Sequence, residues 1–272
     1  EDEFGTALVL RTPKGVRLTP AGDLLAVRAA TVVRELARAR EEVAWHTQHA
    51  EACVTVGVSP AAAILLAPGT VARFGARWPQ VRVRVVDSLY PRVLAQVRAG
   101  ELDLAVGPLP VEGVGRDLVV QPLFDSQQVI AARRGHPLER CQQLAELVGA
   151  AWVLTGPTGG PGDPVHLHLE ARGLPPPKVQ LECESFSTLL ALMPSLDVVG
   201  IMPRGFFERY GPRTDLVVLP IGDALPSTTI HILSRADGPL TLPAQRLLDA
   251  FVQEARDVRT GTAANPGRRA TR

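Results

Sequence analysis

The chain has 272 residues, 46% of them hydrophobic and 21% charged, a balance that describes a soluble globular protein rather than a disordered one. Lys and Arg total 29 against 28 Asp and Glu, so the net charge of +1 gives no global electrostatic case for nucleic acid, and any such case has to be local. The length allows two domains of ordinary size or one large one.

Cys53, Cys141 and Cys183 lie far apart and form no CxxC pair. So sparse and odd a set argues against a secreted disulfide framework and a structural zinc site, and it fits a reducing cytoplasm. No apolar run reaches the ~18 residues of a membrane span. Glu1-Asp2-Glu3 at the start is not a signal peptide.

In chain order, Glu1 to Gly5 reads as the end of a helix stopped by glycine. Leu8-Val9-Leu10-Arg11, a Thr12-Pro13-Lys14-Gly15 turn and Val16-Arg17-Leu18 read as a short hairpin. Arg11, Lys14 and Arg17 bracket its tip, either as a solvated turn or as a cationic projection. Thr19-Pro20 then opens a long helix as N-cap and first-turn proline. No proline and no further glycine after Gly22 interrupts it before about Gln48. Leu25, Ala29, Val32, Leu36, Ala39 and Val43 fall at alternating spacings of four and three, a heptad seam flanked by charge. A lone helix cannot bury such a seam on itself, so a second copy of the same helix is the expected partner, with an ordinary surface helix as the alternative.

From Val54 onward strands and helices alternate. Strands are expected at 54–58, 81–86, 102–106 and 118–123, with helices at 61–77 and 90–99. A second series of strands follows at 127–132, 151–155, 179–182, 198–201 and 216–219, then a strand at 229–233 and a helix at 242–255. This βαβ rhythm predicts an α/β fold with mostly parallel sheets, in two small Rossmann-like lobes.

Ligands of open α/β sheets settle beyond the carboxyl ends of strands. Ser59-Pro60 follows the first strand and opens a helix, where it is either a simple cap or a seat for a carboxylate or sulfonate. Ser88 and Tyr90 follow the second strand. Thr155-Gly156-Pro157-Thr158-Gly159-Gly160-Pro161-Gly162 follows Leu154, but it lacks the Lys-Ser/Thr ending of a nucleotide loop and is not GxGxxG. Ser185, Phe186 and Ser187 precede another helix, with Phe186 either core or ligand platform. There is no Gly-x-Ser-x-Gly elbow, no HExxH and no supportable Cys–His pairing, so no enzyme is expected. His166 and His168 lack a carboxylate or cysteine cluster, and solvent-facing side chains rather than a metal site are expected there.

Glu1 to Arg11, with Phe4 for a usual Leu and Val9 for a usual Phe, and Gly15-Val16-Arg17-Leu18-Thr19-Pro20-Ala21-Gly22 resemble the back half of the winged helix-turn-helix of LysR-type transcriptional regulators. Phe74-Gly75-Ala76-Arg77-Trp78-Pro79, Gly100-Glu101-Leu102-Asp103-Leu104-Ala105, Gly135-His136-Pro137-Leu138 and Gly200-Ile201-Met202-Pro203 carry the resemblance on to about Val258. It implies a wing remnant at 1–18 whose Arg11, Lys14 and Arg17 meet DNA phosphates, and a dimerising linker helix at 19–50. It further implies a periplasmic-binding-protein-like body, with lobe I at 51–124 and 225–258 and lobe II at 125–224. Residues 259–272 read as a disordered tail. The recognition helix would lie upstream of Glu1, so this chain would position on phosphates without reading bases.

By the same resemblance Ser59, Pro60, Ser88, Tyr90, Thr155, Thr158, Gly160, Ser185, Phe186 and Ser187 line an inter-lobe effector cleft. The nearest likeness is to regulators of aromatic-compound and aromatic-sulfonate degradation. The expected ligand is a small aromatic or other organic anion, with no further cofactor and no metal. The expected partners are DNA, a second copy or a tetramer of the chain, and RNA polymerase, in the cytoplasm and without a membrane. A transporter solute-binding protein is the alternative.

Overall fold

The computed structural model describes residues 1–260 apart from 14, 47–51, 162, 223–224 and 226, with backbone alone at 34, 38, 41–42 and 44–46. Lys14, the far end of the expected linker and residues 261–272 of the expected tail therefore lie outside the described residues.

A 3-10 turn, rather than α-helix, spans Asp2–Phe4 and stops at the expected Gly5, which takes the left-handed conformation. Strands β1 (Val9–Thr12) and β2 (Gly15–Leu18) form an antiparallel hairpin that pairs Leu10 with Arg17 and Arg11 with Val16. Directly opposed residues share a face and neighbours alternate. Arg11 and Arg17 consequently point to opposite sides of the hairpin, not to one cationic face.

Helix α1 (Pro20–His46) follows. Thr19 Oγ1 accepts from the Gly22 N–H at 3.0 Å and donates to the Ala7 carbonyl at 2.8 Å, so the cap also ties helix to hairpin. A Cβ at Gly22 would collide with the Leu8 carbonyl oxygen, which is why the approach needs glycine. Beyond that junction the seam is bare: Val32, Leu36 and Val43 are each more than half exposed.

The body is built on two five-stranded sheets. The first takes β3 (Ala52–Val58), β4 (Val81–Asp87), β5 (Leu104–Gly107), β6 (Leu118–Ser126) and a late strand, β12 (Thr228–Arg235), in the order β4-β3-β5-β12-β6. The second takes β7 (Gln128–Arg133), β8 (Ala151–Leu154), β9 (Lys178–Glu182), β10 (Val199–Pro203) and β11 (Leu216–Val218), in the order β11-β7-β10-β8-β9. In each sheet four strands run the same way, as the βαβ rhythm implies, and one runs against them. In the first, β3 pairs parallel with β4 and β5, while β12 pairs antiparallel with β5 and β6. In the second, β8 pairs parallel with β9 and β10, while β7 is antiparallel to β10 and β11. The cause is topological. The chain crosses between sheets at β6–β7 and again at β11–β12, and each crossing brings in one strand, β7 or β12, that runs against the βαβ direction.

The helix expected over 61–77 is two, α2 (Pro60–Leu65) and α3 (Ala67–Arg77). Pro68 has no N–H for the Ile64 carbonyl, which accepts from Arg209 instead, and the helix breaks at Leu66. Helix α4 (Arg92–Ala99) starts after the Tyr90-Pro91 pair. Helices α5 (Pro164–Glu170), α6 (Phe186–Leu192) and α7 (Arg204–Tyr210) flank the second sheet, and α8 (Leu242–Arg259) returns to the first. Both sheets are covered on both faces, giving four apolar clusters. One of them joins the halves: Ile64, from α2, is buried among Met202, Phe206 and Leu189 of the second lobe. Gly205 in α7 makes room for Leu65, and Arg209 donates to the Ile64 carbonyl at 2.7 Å.

Candidate functional site

A cleft of about 880 Å³, counting its open mouth, lies where the carboxyl ends of strands from both sheets face each other. Its first wall is the end of β3 and the start of α2. Ser59 is buried; its Oγ accepts from the Ala62 N–H at 3.4 Å and its own N–H donates to the Val106 carbonyl at 2.8 Å. Pro60 and Ala61 continue the wall. The end of β4 supplies Ser88, buried, with its hydroxyl given to Gln96 Oε1 at 2.6 Å. Tyr90 follows and donates its OH to Glu112 Oε1 at 3.2 Å; burial first, and then the Glu112 carboxylate, push the phenol above its ordinary pKa.

The second lobe contributes Thr155, Pro157, Pro161 and Pro164 from the loop after β8, together with Phe186 and the β10 residues Ile201 and Pro203. The prolines point in, and the loop is pinned from behind by Asp163. That carboxylate, 1% exposed, accepts from the Gly159 N–H at 2.9 Å and the His166 N–H at 3.1 Å. Burial raises its pKa against the pull of those two bonds. Phe186 stacks edge-on against Phe206 at 5.7 Å, so it is both lobe-II core and cleft wall.

Of the residues expected at the site, Ser59, Pro60, Ser88, Tyr90, Thr155 and Phe186 come together in the lining. Thr158, Gly160, Ser185 and Ser187 do not belong to it. Thr158 is exposed. A Cβ at Gly160 would sit 3.5 Å from Tyr90 Cδ1, so Gly160 lies behind the tyrosine ring. Ser185 caps α6, accepting from the Thr188 N–H at 3.3 Å, and shares a 3.0 Å hydrogen bond with Ser187. The open N–H groups expected beside Ser59 are also fewer than expected: Ser59 occupies those of Ala62 and Ala63, and Pro60 has none.

Gln128, Thr228 and Ile230 also line the cleft and were not expected there. They stand at the start of the two crossing strands, where β7 and β12 pass the cleft. No motif marks such positions; only the double crossing puts them there. Gln128 Nε2 donates to the Ser126 carbonyl and hydroxyl, both at 3.3 Å, which leaves Oε1 as its remaining acceptor. No described residue of the lining is formally charged.

His166 and His168 are half-buried on α5, not solvent-facing, with His168 Nδ1 3.0 Å from Arg172. Among the described residues no group of three His, Cys, Asp or Glu could hold a metal ion, and no helix is long and apolar enough to cross a membrane.

A ligand-sized cleft between two mixed α/β lobes joined by two crossings, preceded by a hairpin and a long exposed helix, defines a two-lobed small-molecule-binding regulator body. The LysR substrate binding domain matches residues 47–256, and the chain belongs to that family. The HTH-type transcriptional regulator TdcA of Escherichia coli K12 is 27% identical over 226 residues, 83% of this chain and 72% of TdcA. Full-length CbnR complexed with its target DNA superposes with a TM-score of 0.65 at 16% identity, over 94% of this chain and 86% of CbnR. The BenM effector binding domain with its effector benzoate gives 0.60 at 16% identity, over 82% of this chain and 100% of the domain. TdcA and CbnR are transcriptional regulators, and the transporter alternative gives way to that reading.

Proposed function

We propose that the chain is the sensing and dimerising part of a cytoplasmic LysR-type regulator, in which a small ring-bearing molecule in the cleft sets the angle between the lobes. The observation that carries this is the cleft itself, floored by both crossing strands and walled by both lobes, so an occupant touching both walls favours one lobe arrangement over the other. Without such a difference in affinity no switch would follow. Tyr90 and Phe186 offer flat apolar faces, which suits the aromatic effectors expected from the sequence. BenM's benzoate is a precedent of that size.

The expected anionic head would have to rely on Ser59, Thr155 and Thr228 hydroxyls. We take residues 1–18 as the wing of a winged helix-turn-helix and Arg11, Lys14 and Arg17 as phosphate contacts. Helix α1 would pair with its copy, and lobe boundaries would fall at 51–124 with 225–258 and at 125–224. CbnR's complex with DNA fits that arrangement by analogy of fold. RNA polymerase remains a proposed partner on family grounds alone.

A thermal-shift screen of benzoates, phenols and arylsulfonates, followed by calorimetry on Ser59→Ala and Thr155→Val, tests the cleft. A ligand whose affinity neither substitution changes would remove it as the effector site. For the wing, replacing Arg11 and Arg17 by Ala in a chain carrying a recognition helix should flatten the salt dependence of DNA binding by ~0.9 in log–log slope per lost phosphate contact.

A further inference from the structure

If the cleft is the effector site proposed above, its walls also say which charge state they accept. We infer that it selects an uncharged ring compound bearing one or two hydrogen-bond acceptors, and discriminates against the corresponding carboxylates and sulfonates. Three observations converge.

No described lining residue supplies a cation, and an ionised group taken from water without a paired charge costs several kcal/mol. The helix starts around the cleft, which could otherwise replace a cation, are already used. Helix α2 has proline at its first position, the Ala62 N–H on Ser59 Oγ and the Ala63 N–H on the Ser59 carbonyl, which leaves Ala61 alone. Helix α5 is capped by the Asp163 carboxylate, an anion already in place, and α6 by Ser185. Finally, two carboxylates adjoin the lining, while Arg92 and Arg204, next to it in sequence, are not part of it. Asp163 sits between the lining residues Pro161 and Pro164, and Glu112 accepts from the lining Tyr90.

What the walls do offer is neutral. Ser59 Oγ accepts from Ala62, so its proton is available to a ligand acceptor, and Thr155 and Thr228 present hydroxyls from opposite lobes. Gln128 Oε1 can take one ligand N–H or O–H. An amide, ester, sulfone or phenol on a ring satisfies these groups with no charge to desolvate.

The test is calorimetry on the full chain at slightly alkaline pH with matched probes: benzamide against benzoate, and methyl phenyl sulfone against benzenesulfonate. The neutral member of each pair is expected to bind tighter by about tenfold or more. Equal or tighter binding of the anion, or no heat from either neutral probe, overturns the inference. Thr228→Lys adds an ammonium to the wall and is expected to reverse the preference. Where that variant fails to fold, Gln128→Arg replaces it, and an unchanged preference in the folded variant counts against the inference. Thr155→Trp separates this from the effector-site reading. Binding that survives the plug places the ligand elsewhere and removes that reading. Binding that the plug abolishes, with the anion preferred in the unmodified chain, leaves the cleft standing and removes only the charge selection.

Discussion

Helices α1 and α8 carry the same kind of pattern, an apolar stripe along a charged cylinder, and meet opposite fates. Helix α8 lays Ala244, Leu247, Phe251 and Ala255 into the core of the first lobe, against α3 and β3, and all four are at most 1% exposed. Helix α1 presents Val32, Leu36 and Val43 at 59%, 57% and 65% exposure. Among its described ties, Gly22 packs on the hairpin, and Glu35 pairs with Arg235 of the body, which α1 also touches at β3. Amphipathicity states that a stripe wants cover without saying from where. Here one stripe is covered by the chain's own sheet, while the other, on the reading proposed above, is covered by its twin.

The sharpest way to break that contrast is Val32→Arg with Leu36→Arg. Burial of each side chain is worth about 1.5–3 kcal/mol, and a dimer loses two from each chain. Size-exclusion with light scattering should show the variant as a monomer with a body that melts as before. A variant that stays associated would mean that other surfaces hold the copies together. On the other helix, Phe251→Ala should leave association intact and lower unfolding stability by about 3–5 kcal/mol, read by denaturant titration, because no neighbour of a fully buried ring can refill its place.

The same contrast explains how much could be read in advance. Apolar runs bounded by glycine and proline marked most strands, and the heptad spacing marked α1, because period and punctuation are local properties. The antiparallel entries of β7 and β12 were invisible, since pairing direction depends on where the chain goes between lobes. Ser59, Ser88 and Thr155 were legible because each directly follows a strand and strand ends face the cleft, and Tyr90 because it lies in the loop after β4. Gln128 and Thr228 were not, being ordinary polar residues at strand starts until two crossings carry them to the cleft floor. Thr158 and Gly160 misled for a physical reason: the loop turns Pro157 and Pro161 inward, and Asp163 holds it that way.

Within α8, Glu254 is buried at 4% exposure, 3.1 Å from Arg73. Burial raises its pKa above 4.5 more than Arg73 lowers it, and Asp257 adds to the rise. A raised folded value means that the folded chain holds this proton more tightly than the unfolded one. The stability it contributes is complete below 4.5 and is lost as pH climbs through the raised value. Glu254→Gln keeps the shape and removes the titration, and Arg73 retains Asp257 at 2.8 Å. The variant should therefore melt higher than the unmodified chain at neutral pH, and the two curves should converge as pH falls below 4.5. A gap that stays constant with pH would mean that the carboxyl is already paired well enough to remain charged.

The smallest effect belongs to the anchor of α1. Arg235 closes β12, the strand whose other end, Thr228 and Ile230, floors the cleft, and it pairs with Glu35 on α1 and lies 3.7 Å from Asp237. The arginine side chain is 12% exposed and the glutamate 48%, so solvent screens the pair and its net worth is about 0–1 kcal/mol. Arg235→Gln should barely move the melting temperature, yet it removes one tie of the helix to the body beyond its hairpin junction. Amide exchange along α1 from Leu24 to Leu36 should speed up while exchange in β12 and α8 stays as it was. Added salt should reproduce the effect in the unmodified chain, because it weakens the same attraction. Exchange that does not change in either case would show that Gly22 against Leu8 and the cover from a second copy are enough to hold the helix.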